Sequence, residues 1–229
     1  MPHNRCVPAD SRPLVLRGVA AVIAMTVVML AIAALGRWVL ITAPWAARMD
    51  EGGLAAGGDI VAAAPWLVDV ARTWSALSGP WIIHPIIIAL ALGLLLSGRA
   101  RRSVLLVPAV GLVGWALGAL CKEVVQRARP DEAVVAYGSW SFPSGHANNA
   151  ALGAVLLVTL LALVRTVWIR WGATALVVVG ALLTAADRIV LGVHYVTDVT
   201  AGLALGALMA LVGLGVLRPD LRPPPATDA

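Results

Sequence analysis

Charge is scarce in this chain. Asp, Glu, Lys and Arg make up 13% of its 229 residues, against about 25% in an ordinary soluble domain. Hydrophobic residues reach 60% and the mean hydropathy is +0.90, which excludes a soluble globular enzyme and puts the chain in a bilayer. Cysteine is nearly missing: Cys6 and Cys121 stand far apart, so no disulfide framework is expected. No carboxylate pair and no His cluster has metal-ligand spacing, so neither a catalytic metal nor another cofactor is expected. The long apolar runs lack the alternation of a membrane β-barrel. Although the net charge is +5 and the pI about 10.2, a nucleic-acid partner is not implied. The basic residues fall mostly in short loops between apolar runs, where they set topology.

What is present is a series of uncharged stretches: Gly18–Gly36, Pro80–Gly98, Ser103–Cys121, Ala147–Val164, Trp171–Ala186 and Val199–Leu217. Each approaches the roughly 20 residues that cross about 30 Å of hydrocarbon. The expected fold is therefore all-α, a six-transmembrane-helix bundle. The first run is too long for the apolar part of a signal peptide and reads as a retained span. Residues 1–17 are expected to be a cytoplasmic segment, 18–217 the membrane domain and 218–229 a disordered cytoplasmic tail rich in proline. Arg99, Arg101, Arg102, Arg165 and Arg170 join the N-terminal arginines on one side, which places both termini in the cytoplasm of a plasma membrane protein. Trp38, Trp45 and Trp81 then mark the outer interface, with Trp168 and Trp171 at the inner one. Between the first two spans, Ile60–Leu77 is apolar but broken by Pro65, Asp69 and Arg72. It fits an amphipathic helix on the outer surface better than a seventh span.

Three segments carry chemistry, and all fall at outer helix ends. Lys122 and Arg129 lie seven positions apart before Pro130 and would share a face if the third helix continued that far. Together they could hold two phosphate oxygens, one as a point charge and one as a fork, or they could simply snorkel to the interface. Pro143-Ser144-Gly145-His146 opens the fourth span, where helix-start N–H groups make an anion seat or Ser144 is a plain N-cap. In Arg188-x5-His194-x3-Asp198, a carboxylate four residues from an imidazole can fix its tautomer and free the other nitrogen to attack phosphorus. The same two residues could form an ordinary interfacial pair. His146 would act as acid and then base, and Arg188 would be a third cation on the phosphoryl oxygens.

These three segments resemble the signature motifs of the type 2 phosphatidic acid phosphatase family. That family includes membrane lipid phosphate phosphatases, soluble bacterial acid phosphatases and vanadium haloperoxidases. The resemblance implies a metal-independent mechanism through a phosphohistidine on His194, with His146 as acid and Asp198 as orienter. Lys122, Arg129, Ser144, Gly145 and Arg188 would bind phosphate. It also implies a membrane lipid substrate: an isoprenoid diphosphate such as undecaprenyl diphosphate, phosphatidate or phosphatidylglycerol phosphate, met on the outer side. One position departs, because Asp187 stands where the family has Ser. It would repel phosphate if it pointed inward, unless it pairs with Arg188 or Arg127.

Other polar residues are expected to play lesser parts. Arg127 lies about 140° from the Lys122–Arg129 face and is expected in solvent. His84 reads as a hydrogen-bonded interfacial histidine, His3 as part of a disordered terminus, and Asn148 and Asn149 as helix-start polarity. Two rivals remain on sequence grounds: transfer of the phosphoryl group to an acceptor other than water, and a non-catalytic membrane protein that binds anionic lipid. A transporter would spread polar residues along its spans, whereas here they gather at one depth.

Overall fold

Long apolar runs in lipid leave backbone groups no partner but one another, and helices result. The computed structural model describes residues 12–131, 133–135 and 138–217, and among these lie eight α-helices and no strand. They are α1 (Arg12–Thr42), α2 (Pro44–Ala63), α3 (Leu67–Leu77), α4 (Pro80–Leu96), α5 (Leu106–Val125), α6 (Gly145–Leu161), α7 (Val167–Val190) and α8 (Val196–Leu217). A short 3-10 turn, Arg102–Leu105, leads into α5. Pro44 and Pro80 occupy the first helical positions of α2 and α4, where no backbone donor is lost. Cys6, His3 and the expected tail 218–229 lie outside the described residues.

Each expected span maps onto one helix, with α1 starting earlier, at Arg12. Among the described residues, four helical segments are long and apolar enough to cross a membrane: Leu14–Thr42, Arg102–Val125, Val167–Val190 and Val196–Leu217. The α4 and α6 helices have 17 residues each, about 25 Å at 1.5 Å per residue. The stretch Ile60–Leu77, expected as one amphipathic helix, is divided between the end of α2 and α3, which are bent by 117° at the break and pass together as a fifth candidate span.

The α2 helix runs straight through Gly52-Gly53 and Gly57-Gly58. Gly53 and Gly57 serve close approach and not chain reversal. A Cβ on Gly57 would lie 2.5 Å from the Ile189 carbonyl oxygen, and one on Gly53 would collide with the Val196 side chain. Ala46, Asp50 and Gly57 are the buried positions of α2, and with Gly53 they form one stripe at helical spacing. That stripe docks α2 on the end of α7 and the start of α8.

The packing that most constrains the bundle is between α6 and α8. A Cβ on Gly202 would sit 2.5 Å from Ser144 O, and one on Gly206 would strike the Asn148 carbonyl. Small residues let two backbones approach closely in lipid, where helix association depends on packing and not on water exclusion. Met25, Met29, Ile87, Leu152, Leu156, Leu205 and Met209 fill the space between α1, α4, α6 and α8. Leu176, Val178, Val179, Leu182 and Leu183 on α7 face outward, an apolar surface suited to lipid and too large for water.

Candidate active site

The C-terminal ends of α5 and α7 and the N-terminal ends of α6 and α8 meet at one end of the bundle, and all eight expected site residues come together there. Lys122 Nζ donates to Trp140 O at 2.7 Å and to Ser141 O at 3.3 Å. A Cβ on Gly145 would lie 3.4 Å from Lys122 Cε, so the first and second motifs touch. The α5 helix, however, stops at Val125, and Gln126 adopts the left-handed conformation (φ 54°) with its N–H on Lys122 O. Lys122 and Arg129 therefore share no helical face. Arg129 arrives from the following loop, where Nε donates to Ser139 O (2.8 Å) and Nη1 to Val193 O (2.7 Å).

Arg129 Nη1 also stands 3.2 Å from His194 Nε2. On the other side of the ring, Nδ1 is 3.2 Å from Ser141 Oγ, which itself contacts Asp198 Oδ2 at 2.5 Å. Asp198 Oδ2 is 3.6 Å from His194 Nδ1, so the carboxylate acts mainly through the serine hydroxyl. His194 also precedes α8 and does not stack with Asp198 on a helix face. The donor inventory then fixes the tautomer. Arginine can only donate, so Nε2 accepts; the Ser141 proton goes to the carboxylate, so Nδ1–H donates to Ser141 Oγ. Burial pushes the His194 imidazole down, to about 4, and the Lys122 and Arg129 charges push the same way against Asp198.

The anion seat differs in detail from the expected one. Ser144 occupies the N-cap position of α6 but makes no side-chain cap, and its N–H is spent on Asp198 O at 2.9 Å. Its Oγ is buried without a hydrogen-bond partner. Gly145 begins the helix, where first-turn N–H groups lack intrahelical acceptors. The His146 ring hydrogen-bonds the Ser75 backbone and feels the charges of Arg188, His194 and Lys122. It borders a cavity of about 480 Å³ lined by Arg72, Ser75, Trp81, Val135 and Leu191 among others. Arg188 is fully buried, with Nε and Nη2 on Asp187 (2.5 and 2.7 Å). Its Nη1 has no partner. Asp187 thus pairs with Arg188 and not with Arg127.

Several residues in the cluster were not anticipated. Arg127, expected in solvent, places Nη1 2.6 Å from Asp198 Oδ1 and 2.8 Å from Thr197 Oγ1, and Nη2 2.7 Å from Asp50 Oδ2. Burial opposes its charge, but Asp198 and Asp50 outweigh that and hold its pKa above the ordinary value. Asp50 of α2 also accepts from Thr197 N (2.9 Å) and Thr197 Oγ1 (2.8 Å). Ser141 lies two residues before Pro143, a position that could have been weighed with the second motif. His84 is buried and meets Asn149 Oδ1 at 3.1 Å, while Asn149 Nδ2 donates to Gly145 O. His84 thus ties α4 to the first turn of α6.

A family model described as the PAP2 superfamily matches residues 102–220, just over half of the chain. The chain belongs to the PAP2 superfamily. Phosphatidylglycerophosphatase B of Bacillus subtilis is 30% identical over 148 residues, 63% of this chain and 72% of that protein. A decaprenylphosphoryl-5-phosphoribose phosphatase of Mycobacterium tuberculosis is 35% identical over 137 residues, covering 58% and 68%. The crystal structure of a transmembrane PAP2 type phosphatidylglycerolphosphate phosphatase from Bacillus subtilis matches with a TM-score of 0.71 at 28% identity. That match covers 88% of this chain and 98% of the other. This PAP2 chain is accordingly a multi-pass membrane protein. Among its described residues no group of three or more His, Cys, Asp or Glu side chains could hold a metal ion.

Proposed function

We propose that this PAP2 chain is a metal-independent membrane phosphatase that hydrolyses a lipid phosphate or isoprenoid diphosphate through a phosphohistidine on His194. The observation that carries this reading is the setting of that ring, with Ser141 and Asp198 at one nitrogen and Arg129 at the other. Its Nδ1–H is engaged by Ser141 and Asp198, and its Nε2 lone pair faces Arg129 at 3.2 Å. Nε2 attacks phosphorus, a P–N bond forms, and the bond to the leaving oxygen breaks as His146 gives that oxygen a proton. Water then attacks the phosphohistidine, His146 takes its proton, and inorganic phosphate leaves with the P–N bond broken. Ser144 Oγ and Arg188 Nη1, both buried without partners, are donors that bound phosphate would satisfy. Lys122 and Arg129 add charge where the transferring group becomes more anionic.

The substrate class follows from the surroundings. Apolar helix faces surround a cationic end, which suits a lipid with a phosphate head. A groove of about 270 Å³ between α1, α2 and α8, lined by Leu35, Val39, Trp45, Met49, Phe142 and Thr197 among others, reaches the residues beside Ser141 and Asp198. It gives a lipid tail a lateral route. The names of both relatives describe phosphatases of phosphate-bearing lipids. The arginine distribution supports six spans, cytoplasmic termini and an outer site with α2 and α3 above it.

Phosphate release from a panel of lipid phosphates by purified protein in detergent and EDTA tests this. Activity should survive chelation, yield to vanadate and fall at least about 10³-fold in His194→Ala. Loss on chelation, or an active His194→Ala enzyme, overturns the mechanism.

A further inference from the structure

We propose that Asp50, on α2, is a positioning residue that acts through Arg127 to set the orientation and effective charge of the Asp198 carboxylate behind His194. The inference rests on the phosphohistidine reading above. Asp50, Arg127 and Asp198 form a line of alternating charge, with contacts of 2.7 Å and 2.6 Å. Asp50 and Asp198 are almost wholly buried. The Arg127 guanidinium lies over the Tyr195 ring at 3.8 Å, which fixes its plane. Thr197 closes the figure: its N–H and Oγ1 both donate to Asp50, while its Oγ1 accepts from Arg127.

An anchor for α2 alone would need only the two Thr197 contacts. The third contact of Asp50, on the far arm of Arg127, has an electrostatic consequence. With Asp50 ionised, Arg127 is already balanced and draws less on Asp198, so more negative charge is left for the imidazole. Without it, an uncompensated guanidinium would sit 2.6 Å from Asp198 Oδ1. The Asp198 charge matters most when His194 becomes a positively charged phosphohistidine, so its weakening should appear in the chemical step. The other groups around His194 are Lys122 from α5, Arg129 and Ser141 from the loop between α5 and α6, His146 from α6, and the Asp187–Arg188 pair from α7.

Asp50→Asn keeps the shape and an acceptor for Thr197 N while removing the charge. It should lower kcat about 10- to 100-fold with KM within about twofold, the usual penalty for a lost outer partner of a catalytic ligand. The acidic limb of kcat/KM should move to lower pH. Arg127→Gln removes the opposite charge and should move the same limb to higher pH, and the double variant should return it close to the parent. Opposite signs are what an anchoring role cannot produce. The inference is overturned if Asp50→Asn leaves kcat unchanged, if both single variants move the limb the same way, or if their losses simply add. Should Asp50→Asn fail to melt cooperatively in detergent, Asp50→Ser takes its place, with the same expected downward shift and the same overturning results. Failure of the phosphohistidine reading is seen separately, as activity in His194→Ala.

Discussion

Replacing Asp187 by the serine usual in this family should cost fold stability and strengthen anion binding at once. Arg188 has no solvent exposure, and two of its nitrogens rest on the Asp187 carboxylate at 2.5 and 2.7 Å. Serine is too short to meet both and carries no charge, so Asp187→Ser strands a buried guanidinium. Breaking one side of a buried pair typically costs about 3–5 kcal/mol, which for a chain of this size lowers Tm by on the order of 10 °C. An oxyanion can take the place of the lost carboxylate, because Nε and Nη2 join the already unpartnered Nη1. Ligand at 100 times its Kd contributes about 2.7 kcal/mol, so tighter binding in the variant should restore much of the loss. The assay is thermal melting of both proteins in detergent with and without orthovanadate, together with KM for a lipid phosphate. Asp187→Ser should melt lower without vanadate, gain more from it than the parent, and show a lower KM. Equal melting without ligand, or equal stabilisation by vanadate, would refute the idea that this carboxylate competes with phosphate for Arg188.

Two further outcomes are expected. Under the phosphohistidine reading only neutral His194 attacks phosphorus, and with its pKa held at about 4 by burial the ring stays neutral between pH 4 and 6.5, where an exposed imidazole would be largely protonated. Activity should therefore persist as pH falls below 6.5 and be lost through about 4, read as the acidic limb of kcat/KM after correction for substrate ionisation; a limb near 6.5 would contradict the buried, cation-flanked ring. Ser141→Ala removes the hydroxyl between Nδ1 and Asp198 Oδ2 and leaves those atoms 3.6 Å apart, so kcat should fall about 10-fold or more with little change in KM. Unchanged kcat would mean the carboxylate reaches the ring without help.

What the sequence made legible were features with one physical solution. Uncharged runs become helices wherever they occur, and ionisable groups at helix ends gather because nothing else in a bilayer can solvate them. What stayed hidden depended on the path of the chain. The segment before Ile60 carries no apolar period that announces a helix, yet it forms α2, with Gly53 and Gly57 as close-approach positions against Val196 and Ile189. Missing that helix meant missing Asp50, a lone carboxylate on a small-residue stripe. The angle that sent Arg127 into solvent assumed a helix continuing past Val125, and the left-handed Gln126 ends it. Once the chain leaves the helix, Arg127 and Arg129 both turn inward, one to the carboxylate and one to the imidazole. Ser141 was hidden for the same reason, since a loop hydroxyl acquires a partner only when the loop's route is known.

The pairing of the cations divides their work. Arg127 and Arg188 each rest on carboxylates, which cancel their charge and fix their direction. Lys122 donates to the backbone carbonyls of Trp140 and Ser141, and Arg129 to those of Ser139 and Val193. A carbonyl satisfies a donor without neutralising it, so Lys122 keeps most of its field. On the proposed reading it can bend toward a phosphate oxygen without stranding a carboxylate, which Arg127 cannot do. On that reading, ground-state attraction for the headgroup draws on Lys122, while the carboxylate-paired arginines hold the proposed nucleophile's partner and one fixed donor in place, a separation that would let an anionic lipid bind beside Asp187 and Asp198 without being repelled.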